Sequence, residues 1–162
     1  MYKKILVPLD GSALAERAIQ HAIEIARGTG AELILLQAVQ APLSKVPEAG
    51  QSEEEKSILE VAAGVKAYLD RIAARATGEG VRARAVVLEG PADAAILGFA
   101  HDENVDILVM STHGRTGVSK ALMGSVAETV VVTTKRPVML VKPERLPVAH
   151  HIDETETFVS AH

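Results

Sequence analysis

Apolar residues along the chain fall into two kinds of stretch that alternate regularly. Short continuous runs rich in Ile, Leu and Val are typical of buried strands, whereas apolar residues spaced every three or four positions are typical of helices. The runs that predict strands are residues 4–9, 32–38, 82–88, 105–110 and 137–141. The stretches that predict helices are residues 13 to about 27, 52 to about 78, 91 to about 104 and 126–132. This alternation of strand and helix predicts an α/β domain with a parallel sheet covered on both faces.

Chain connectivity narrows the architecture further. Right-handed crossovers make the predicted fold a three-layer, doubly wound, Rossmann-like sheet, for which we expect five parallel strands in the order 3-2-1-4-5. Such folds bind ligands at the carboxyl ends of their strands, where the strand order reverses. In this order the first and fourth strands flank the reversal. The loop after each of them is therefore a candidate ligand loop.

The loop after the fourth strand has the features of a phosphate-binding loop. It reads Ser-Thr-His-Gly-Arg-Thr-Gly from Ser111 to Gly117, and Gly124-Ser125 then precedes the next predicted helix. Glycine lets an anion approach the main chain, and a helix N-terminus offers free amides and a positive dipole end. An alternative is that Ser125 and Glu128 form a capping box that needs no ligand. The two interpretations are compatible.

Single polar residues beside these loops have more than one interpretation. Asp10 ends the first strand and is either a ligand contact or an acid of the Asp10-Gly11-Ser12 turn, with Ser12 as the predicted N-cap of the first helix. His113 is a base, a metal ligand or a packing residue, and the absence of a nearby partner at ligand spacing favours packing. Arg115 is either a phosphate contact or a solvated loop residue.

Composition excludes several classes of function. The chain has 162 residues, no cysteine, no tryptophan and a net charge of −4. Thiolate chemistry is therefore absent, and neither a basic surface nor an aromatic platform for nucleic acid is expected. The N-terminus runs directly into a strand and no apolar run spans a bilayer, so we expect a cytoplasmic protein with no membrane contact. Residues 1–143 are the expected domain, and residues 144–162 an extended or disordered tail.

Several segments together resemble the universal stress protein family. They are Val-Pro-Leu-Asp-Gly-Ser at 7–12, the loop at 111–117, Leu-Met-Gly-Ser-Val-Ala-Glu at 122–128 and Arg-Pro-Val-Met-Leu-Val at 136–141. Nucleotide-binding members of that family carry Gly, two residues, Gly, nine residues, then Gly followed by Ser or Thr. Gly114 and Gly124-Ser125 match this spacing, and Ser111 replaces the first glycine. The resemblance covers residues 2 to about 143 and implies the fold of the adenine-nucleotide alpha-hydrolase-like group.

The resemblance also implies a nucleotide site. Gly114, Gly124, Ser125 and the amide of Val126 are expected to line the phosphates. Pro8 and Asp10 are expected beside the adenosine, and the main chain of Ala38 and Val39 at the adenine edge. The remaining residues expected to line the site are Leu9, Met110, Ser111, His113, Arg115 and Gly117.

The implied function is an ATP-binding regulatory module of the stress response. Mg²⁺ or Mn²⁺ is a candidate companion of the phosphates, and a homodimer is expected through the edge strand bounded by Pro137 and Val141. Two alternatives remain open: AMP or cyclic AMP as the ligand, and an interaction protein that binds no nucleotide. Dedicated catalysis is not expected beyond slow ATP hydrolysis, because the Walker and dinucleotide-binding glycine patterns are both absent after the first strand.

Overall fold

The computed structural model describes residues 1–40, 53–113 and 123–142. Five strands and four helices alternate along these segments. The strands are β1 (Lys4–Pro8), β2 (Glu32–Val39), β3 (Ala83–Glu89), β4 (Ile107–Ser111) and β5 (Val138–Val141). The helices are α1 (Ala13–Thr29), α2 (Glu53–Gly78), α3 (Ala92–Asp102) and α4 (Ser125–Thr133).

The strands form one parallel sheet in the order β3-β2-β1-β4-β5. The predicted fold class and strand order are therefore confirmed. Leu6 of β1 pairs with Ile34 of β2 on one side and with Leu108 of β4 on the other, so β1 is the central strand. The chain reverses its direction of winding at β1, which places the β1 and β4 ends side by side at the carboxyl edge of the sheet.

Alternate residues of each strand point to opposite faces of the sheet, and helices cover both faces. On one face, Ile5 and Val7 pack with Ile19 and Ile23 of α1 and with Leu69 of α2. On the other face, the neighbouring strand residues pack against α3 and α4. That second cluster is centred on Leu6, Ile34, Leu108, Ile96 and Val130.

Most element ends differ from the prediction by one or two residues, and for three of them the structure shows the reason. Strand β2 continues to Val39, because the Val39 carbonyl accepts a hydrogen bond of 3.0 Å from the amide of Gly90. Strand β4 continues to Ser111, which pairs with Val141 of β5. Helix α3 ends at Asp102, because Asn104 has a left-handed φ of 52° that does not continue a helix.

Charged residues join the strands at the amino end of the sheet. The Lys4 ammonium contacts the Glu103 carboxylate at 2.8 Å, and the Arg84 guanidinium contacts the carboxylates of Glu103 and Glu32 at 3.1 Å each. The Asp106 carboxylate accepts hydrogen bonds from the amides of Lys3 (2.7 Å) and Lys4 (2.9 Å). Ion pairs thus link neighbouring elements at the amino end of the sheet. The candidate site lies at the carboxyl end.

Of the helices in the part of the chain that the structure describes, none has the length and apolarity that a membrane span requires. The predicted tail, residues 144–162, lies outside the described residues and remains a prediction.

Candidate nucleotide site

A tight turn joins β1 to α1 and fixes the Asp10 side chain. The amide of Ser12 donates to Asp10 Oδ1 at 2.9 Å, and the amide of Ala15 donates to Ser12 Oγ at 3.1 Å. Ser12 is therefore the N-cap of α1, as predicted. Gly11 has a φ of 79°, a conformation that glycine adopts without the cost of a Cβ clash. Asp10 acts as a turn acid and also lies at the end of the central strand.

The residues at the end of β4 are fixed by backbone and hydroxyl contacts. The amide of Thr112 donates to the Val141 carbonyl at 3.0 Å, and the Thr112 carbonyl accepts from the amide of Gly124 at 2.7 Å. Thr112 Oγ1 and His113 Nδ1 are 2.9 Å apart, at hydrogen-bonding distance. These contacts bring the start of α4 next to the end of β4.

Ser111 stands where the family pattern has its first glycine, and its backbone explains why a serine is accommodated. Ser111 is the last residue of β4 and is buried. Across the segments that the structure describes, Asn104 is the only non-glycine residue with a positive φ, so Ser111 does not need a left-handed backbone. Its hydroxyl accepts a hydrogen bond of 3.3 Å from the amide of His113.

Helix α4 begins with Gly124 as its N-cap, and Ser125 is its first residue. The predicted capping box of Ser125 and Glu128 is wrong, because no side chain caps this helix; the amide of Glu128 bonds to the Gly124 carbonyl at 2.9 Å. Helical geometry leaves the preceding amides, those of Ser125, Val126 and Ala127, without an acceptor inside the helix. Together with the positive end of the helix dipole, they suit an anion.

The two strand ends and the start of α4 enclose a crevice of about 230 Å³. It is open between α1 on one side and α3 and α4 on the other. The crevice-lining residues are Pro8, Leu9, Asp10, Ala15, Ala92, Ile96, Met110, Ser111, Thr112, His113, Gly124, Ser125, Val126 and Ala127. Apolar side chains and the backbone form most of the wall, and Asp10 and His113 bring titratable groups to it.

Comparison with known proteins agrees with this geometry. A model of the universal stress protein family matches residues 1–142 of the chain. The chain belongs to the universal stress protein family. It is 36% identical over 143 residues to universal stress protein MJ0531 of Methanocaldococcus jannaschii, covering 88% of this chain and 83% of that protein.

Solved structures of this family superpose on nearly the whole domain. The structure of protein MJ0577, from the same organism, matches with a TM-score of 0.72 and 30% identity, over 90% of this chain and 99% of that one. A universal stress protein in complex with cAMP matches with a TM-score of 0.64 and 26% identity, over 87% and 97% of the two chains.

The structure brings most of the expected universal stress protein site residues together. The expected residues found on the crevice wall are Pro8, Leu9, Asp10, Met110, Ser111, His113, Gly124, Ser125 and Val126. The other expected residues of the loop, Gly114, Arg115 and Gly117, lie outside the described residues. Ala38 and Val39 do not line the crevice itself.

The hydrogen-bond ladder distinguishes Ala38 from Val39. The Leu36 carbonyl accepts a hydrogen bond from the amide of Leu9, directly after β1, and the Val39 carbonyl accepts one from the amide of Gly90, next to β3. Main-chain groups alternate in direction along a strand, so those of Ala38 point to the β1 side, as those of Leu36 do. Strand β1 ends at Pro8, so the amide and carbonyl of Ala38 lie beyond its last paired residue. Of the two residues, Ala38 thus faces the reversal of strand order.

Five further residues, not predicted from the sequence, also line the crevice: Ala15, Ala92, Ile96, Thr112 and Ala127. The position of Ala92 was predictable, because a helix that follows a parallel strand begins at the carboxyl edge of the sheet and its first turn borders that edge. Within the described segments, no group of three or more His, Asp and Glu side chains is arranged to hold a metal ion. The crevice is equipped to hold an anion beside an apolar surface.

Proposed function

We propose that this universal stress protein is a regulatory module that binds an adenine nucleotide, with ATP as the first candidate, in the crevice between the ends of β1 and β4. The observation that carries the proposal is the start of α4. Three amides there lack intrahelical acceptors, and residues that bear them line a crevice at the reversal of strand order.

The two ends of the crevice differ in chemistry, as the two ends of a nucleotide do. The α4 end, with Ser125 and Val126, presents amides and a dipole for phosphate oxygens. The β1 end presents Pro8 and Leu9 as apolar surface for a base. The main chain of Ala38, beyond the last paired residue of β1, offers one donor and one acceptor on that side of β2. An adenine edge carries an amino donor beside a ring-nitrogen acceptor, which complements such a pair.

ATP is proposed because Gly114 and Gly124-Ser125 keep the spacing that nucleotide-binding members of the family carry. A cyclic nucleotide or AMP is the second candidate, and the cAMP complex of a related protein favours it. Mg²⁺ or Mn²⁺ would enter with the phosphates and be held through water by Asp10 or Ser125, since hard cations at such sites keep several waters. No residue of the crevice is assigned a catalytic role.

We also propose that the module acts as a homodimer through the outer edge of β5. The carbonyls of Pro137 and Val141 accept from Leu108 and Thr112, and thus point towards β4. By alternation, the amides and carbonyls of Val138 and Leu140 point outward from the sheet. Among the described residues no strand pairs with this edge, and antiparallel pairing with a second copy about a two-fold axis would complete it.

The first experiment asks what the protein binds. The purified protein is denatured and any released nucleotide is identified by mass spectrometry; the nucleotide-free protein is then titrated calorimetrically with ATP, AMP and cAMP. We expect one adenine nucleotide per chain, and a rise in melting temperature with its concentration because it binds only the folded state. Absence of heat with all three nucleotides would contradict the proposal.

A negative charge introduced at Ser125 tests where the phosphates bind, and it distinguishes an effect on nucleotide affinity from an effect on folding. Ser125→Asp puts a negative charge on the first turn of α4, where the helix dipole favours it, so we expect stability to be retained. The same charge repels a bound phosphate, so we expect nucleotide affinity to fall at least about tenfold, which corresponds to about 1.4 kcal/mol. Ser125→Asn, similar in size but neutral, is the control and should bind within about threefold of the wild type. Equal affinities for the two variants would place the phosphates elsewhere.

A further inference from the structure

A tyrosine on α2 contacts the helix that begins at the crevice. The Tyr68 hydroxyl donates to Glu16 Oε1 at 2.7 Å, across 52 positions of sequence. Both side chains are half-buried, and Tyr68 also packs against the core on the α1 and α2 face of the sheet. A hydrogen bond to a carboxylate that is partly shielded from water is stronger than one between neutral groups.

Backbone hydrogen bonds link Glu16, in the first turn of α1, to the Asp10 carboxylate at the crevice. Its amide bonds to the Ser12 carbonyl at 3.2 Å, and the amide of Ser12 in turn bonds to Asp10 Oδ1 at 2.9 Å. Ala15, the neighbour of Glu16, lines the crevice. Three successive hydrogen bonds thus connect the Tyr68 hydroxyl to Asp10 through the first turn of α1.

The surroundings of Tyr68 raise the pKa of its phenol. Burial is the main cause that raises the pKa of the Tyr68 phenol, followed by its hydrogen bond to Glu16 and the charge of that carboxylate. The Asp10 carboxylate raises this pKa further, and Arg75 opposes the shift. The phenol therefore stays protonated at physiological pH and remains a donor to Glu16.

We propose that Tyr68 is a positioning residue of the nucleotide site, which fixes the first turn of α1 through Glu16 and thereby holds Asp10 against the bound nucleotide. This inference rests on the proposed nucleotide-binding function. Tyr68 itself does not line the crevice, so it acts only through Glu16 and the Asp10 turn.

The test compares nucleotide affinities of the full-length wild type and variants by calorimetry with ATP and with cAMP. Tyr68→Phe removes the hydroxyl and keeps the packed ring, so we expect affinity to fall about three- to tenfold, the effect of losing one hydrogen bond. Thr77→Val is the matched control, because it removes a hydroxyl of α2 that bonds only to the Ala73 carbonyl of the same helix (2.9 Å). That control should bind like the wild type.

Variants of Glu16 separate positioning from a general loss of stability. Glu16→Gln keeps an acceptor for the Tyr68 hydroxyl and should retain most of the affinity, whereas Glu16→Ala should match Tyr68→Phe. In the double variant, Tyr68→Phe with Glu16→Ala, the loss should be no larger than in either single one, because both remove the same contact. Additive losses in this double variant would overturn the proposal.

A spectroscopic measurement provides an independent readout. The chain has only two tyrosines and no tryptophan, so Tyr2→Phe leaves Tyr68 as the single phenol. With ring-labelled tyrosine, the one remaining Cζ resonance should move when nucleotide saturates the crevice. An unmoved resonance, or wild-type affinity in Tyr68→Phe, overturns the positioning role and leaves nucleotide binding intact. A wild type that binds neither ATP nor cAMP overturns both proposals.

Discussion

The side chain of Gln37 carries a buried carboxamide oxygen whose effect on stability can be measured. Gln37 lies on β2 with 6% of its surface exposed, and its Oε1 is buried with no hydrogen-bond partner among the residues that the structure describes. A buried polar atom left unpaired costs about 1–3 kcal/mol, and an apolar side chain of similar shape avoids that cost. We therefore expect Gln37→Met to raise the free energy of unfolding by about 1 kcal/mol.

Urea unfolding of the two proteins measures this difference. Gln20→Met, on the exposed side of α1, is the control for the substitution itself and should change stability by no more than about 0.5 kcal/mol. A destabilised Gln37→Met protein would contradict the expectation and indicate that Gln37 has a bound water as its partner.

Residue roles that depend on near neighbours in sequence were predictable, and those that depend on distant contacts were not. The N-cap role of Ser12 follows from its place before an amphipathic stretch, and the structure confirms it. The bond between Tyr68 and Glu16 spans 52 positions, and no local pattern indicates it. The extended backbone of Ser111 likewise depends on its pairing with Val141 of another strand.

At the scale of elements, the outward-facing edge of β5 gives a prediction about assembly. Val138→Pro removes an amide that points away from the sheet, and proline is tolerated on an edge strand where that amide faces outward. If two copies pair through this edge, the substitution removes an intermolecular hydrogen bond. The dissociation constant of the dimer should then increase at least about fivefold.

Light scattering after gel filtration at low micromolar concentration measures this change. Val138→Ala loses the same packing against the α3 and α4 face but keeps the amide, and it should remain dimeric. A dimer that persists unchanged in Val138→Pro, or a wild type that is monomeric, would show that this edge does not assemble copies of the chain.

Element type and order followed from the sequence because each apolar run is either continuous or helically spaced. All five strands and four helices of the described segments were predicted, and so was the sheet order. The start of α4 was misjudged because Ser-Val-Ala-Glu has the letters of a capping box. The bond between the Gly124 amide and the Thr112 carbonyl sets the helix start one residue earlier, and that contact is tertiary.

For the whole molecule, the two ends of the sheet have separate roles. The carboxyl end leaves amides without intrahelical acceptors around the crevice, whereas the amino end pairs its carboxylates with amides and cations. We therefore expect acid to lower stability by protonating carboxylates at the amino end, which lies at the opposite end of the strands from the proposed nucleotide site. This separation allows stability and nucleotide binding to be changed independently.

Acid should destabilise the fold through Glu103 and Asp106. The hydrogen bond from Lys4 is the main cause that lowers the pKa of Glu103, and the amides of Lys3 and Lys4 lower the pKa of Asp106. Groups with a folded pKa below the ordinary values of 4.5 and 3.8 stabilise the fold above those values. The contribution of these two groups to the free energy of unfolding should thus be constant from pH 7 to about pH 5 and fall as pH decreases further, because the unfolded chain binds more protons.

Urea unfolding at a series of pH values from neutral to strongly acidic measures this dependence. In Asp106→Asn, stability at neutral pH should be lower and its decrease in acid shallower, since the ionised acceptor of two amides is gone. Asp70→Asn, which removes a carboxylate paired with Lys66 on the exposed side of α2, is the control and should keep the wild-type slope. A slope in Asp106→Asn equal to that of the wild type would assign the acid sensitivity to other carboxylates. Nucleotide affinity at neutral pH should be the same in all three proteins, because the altered carboxylates lie away from the crevice wall.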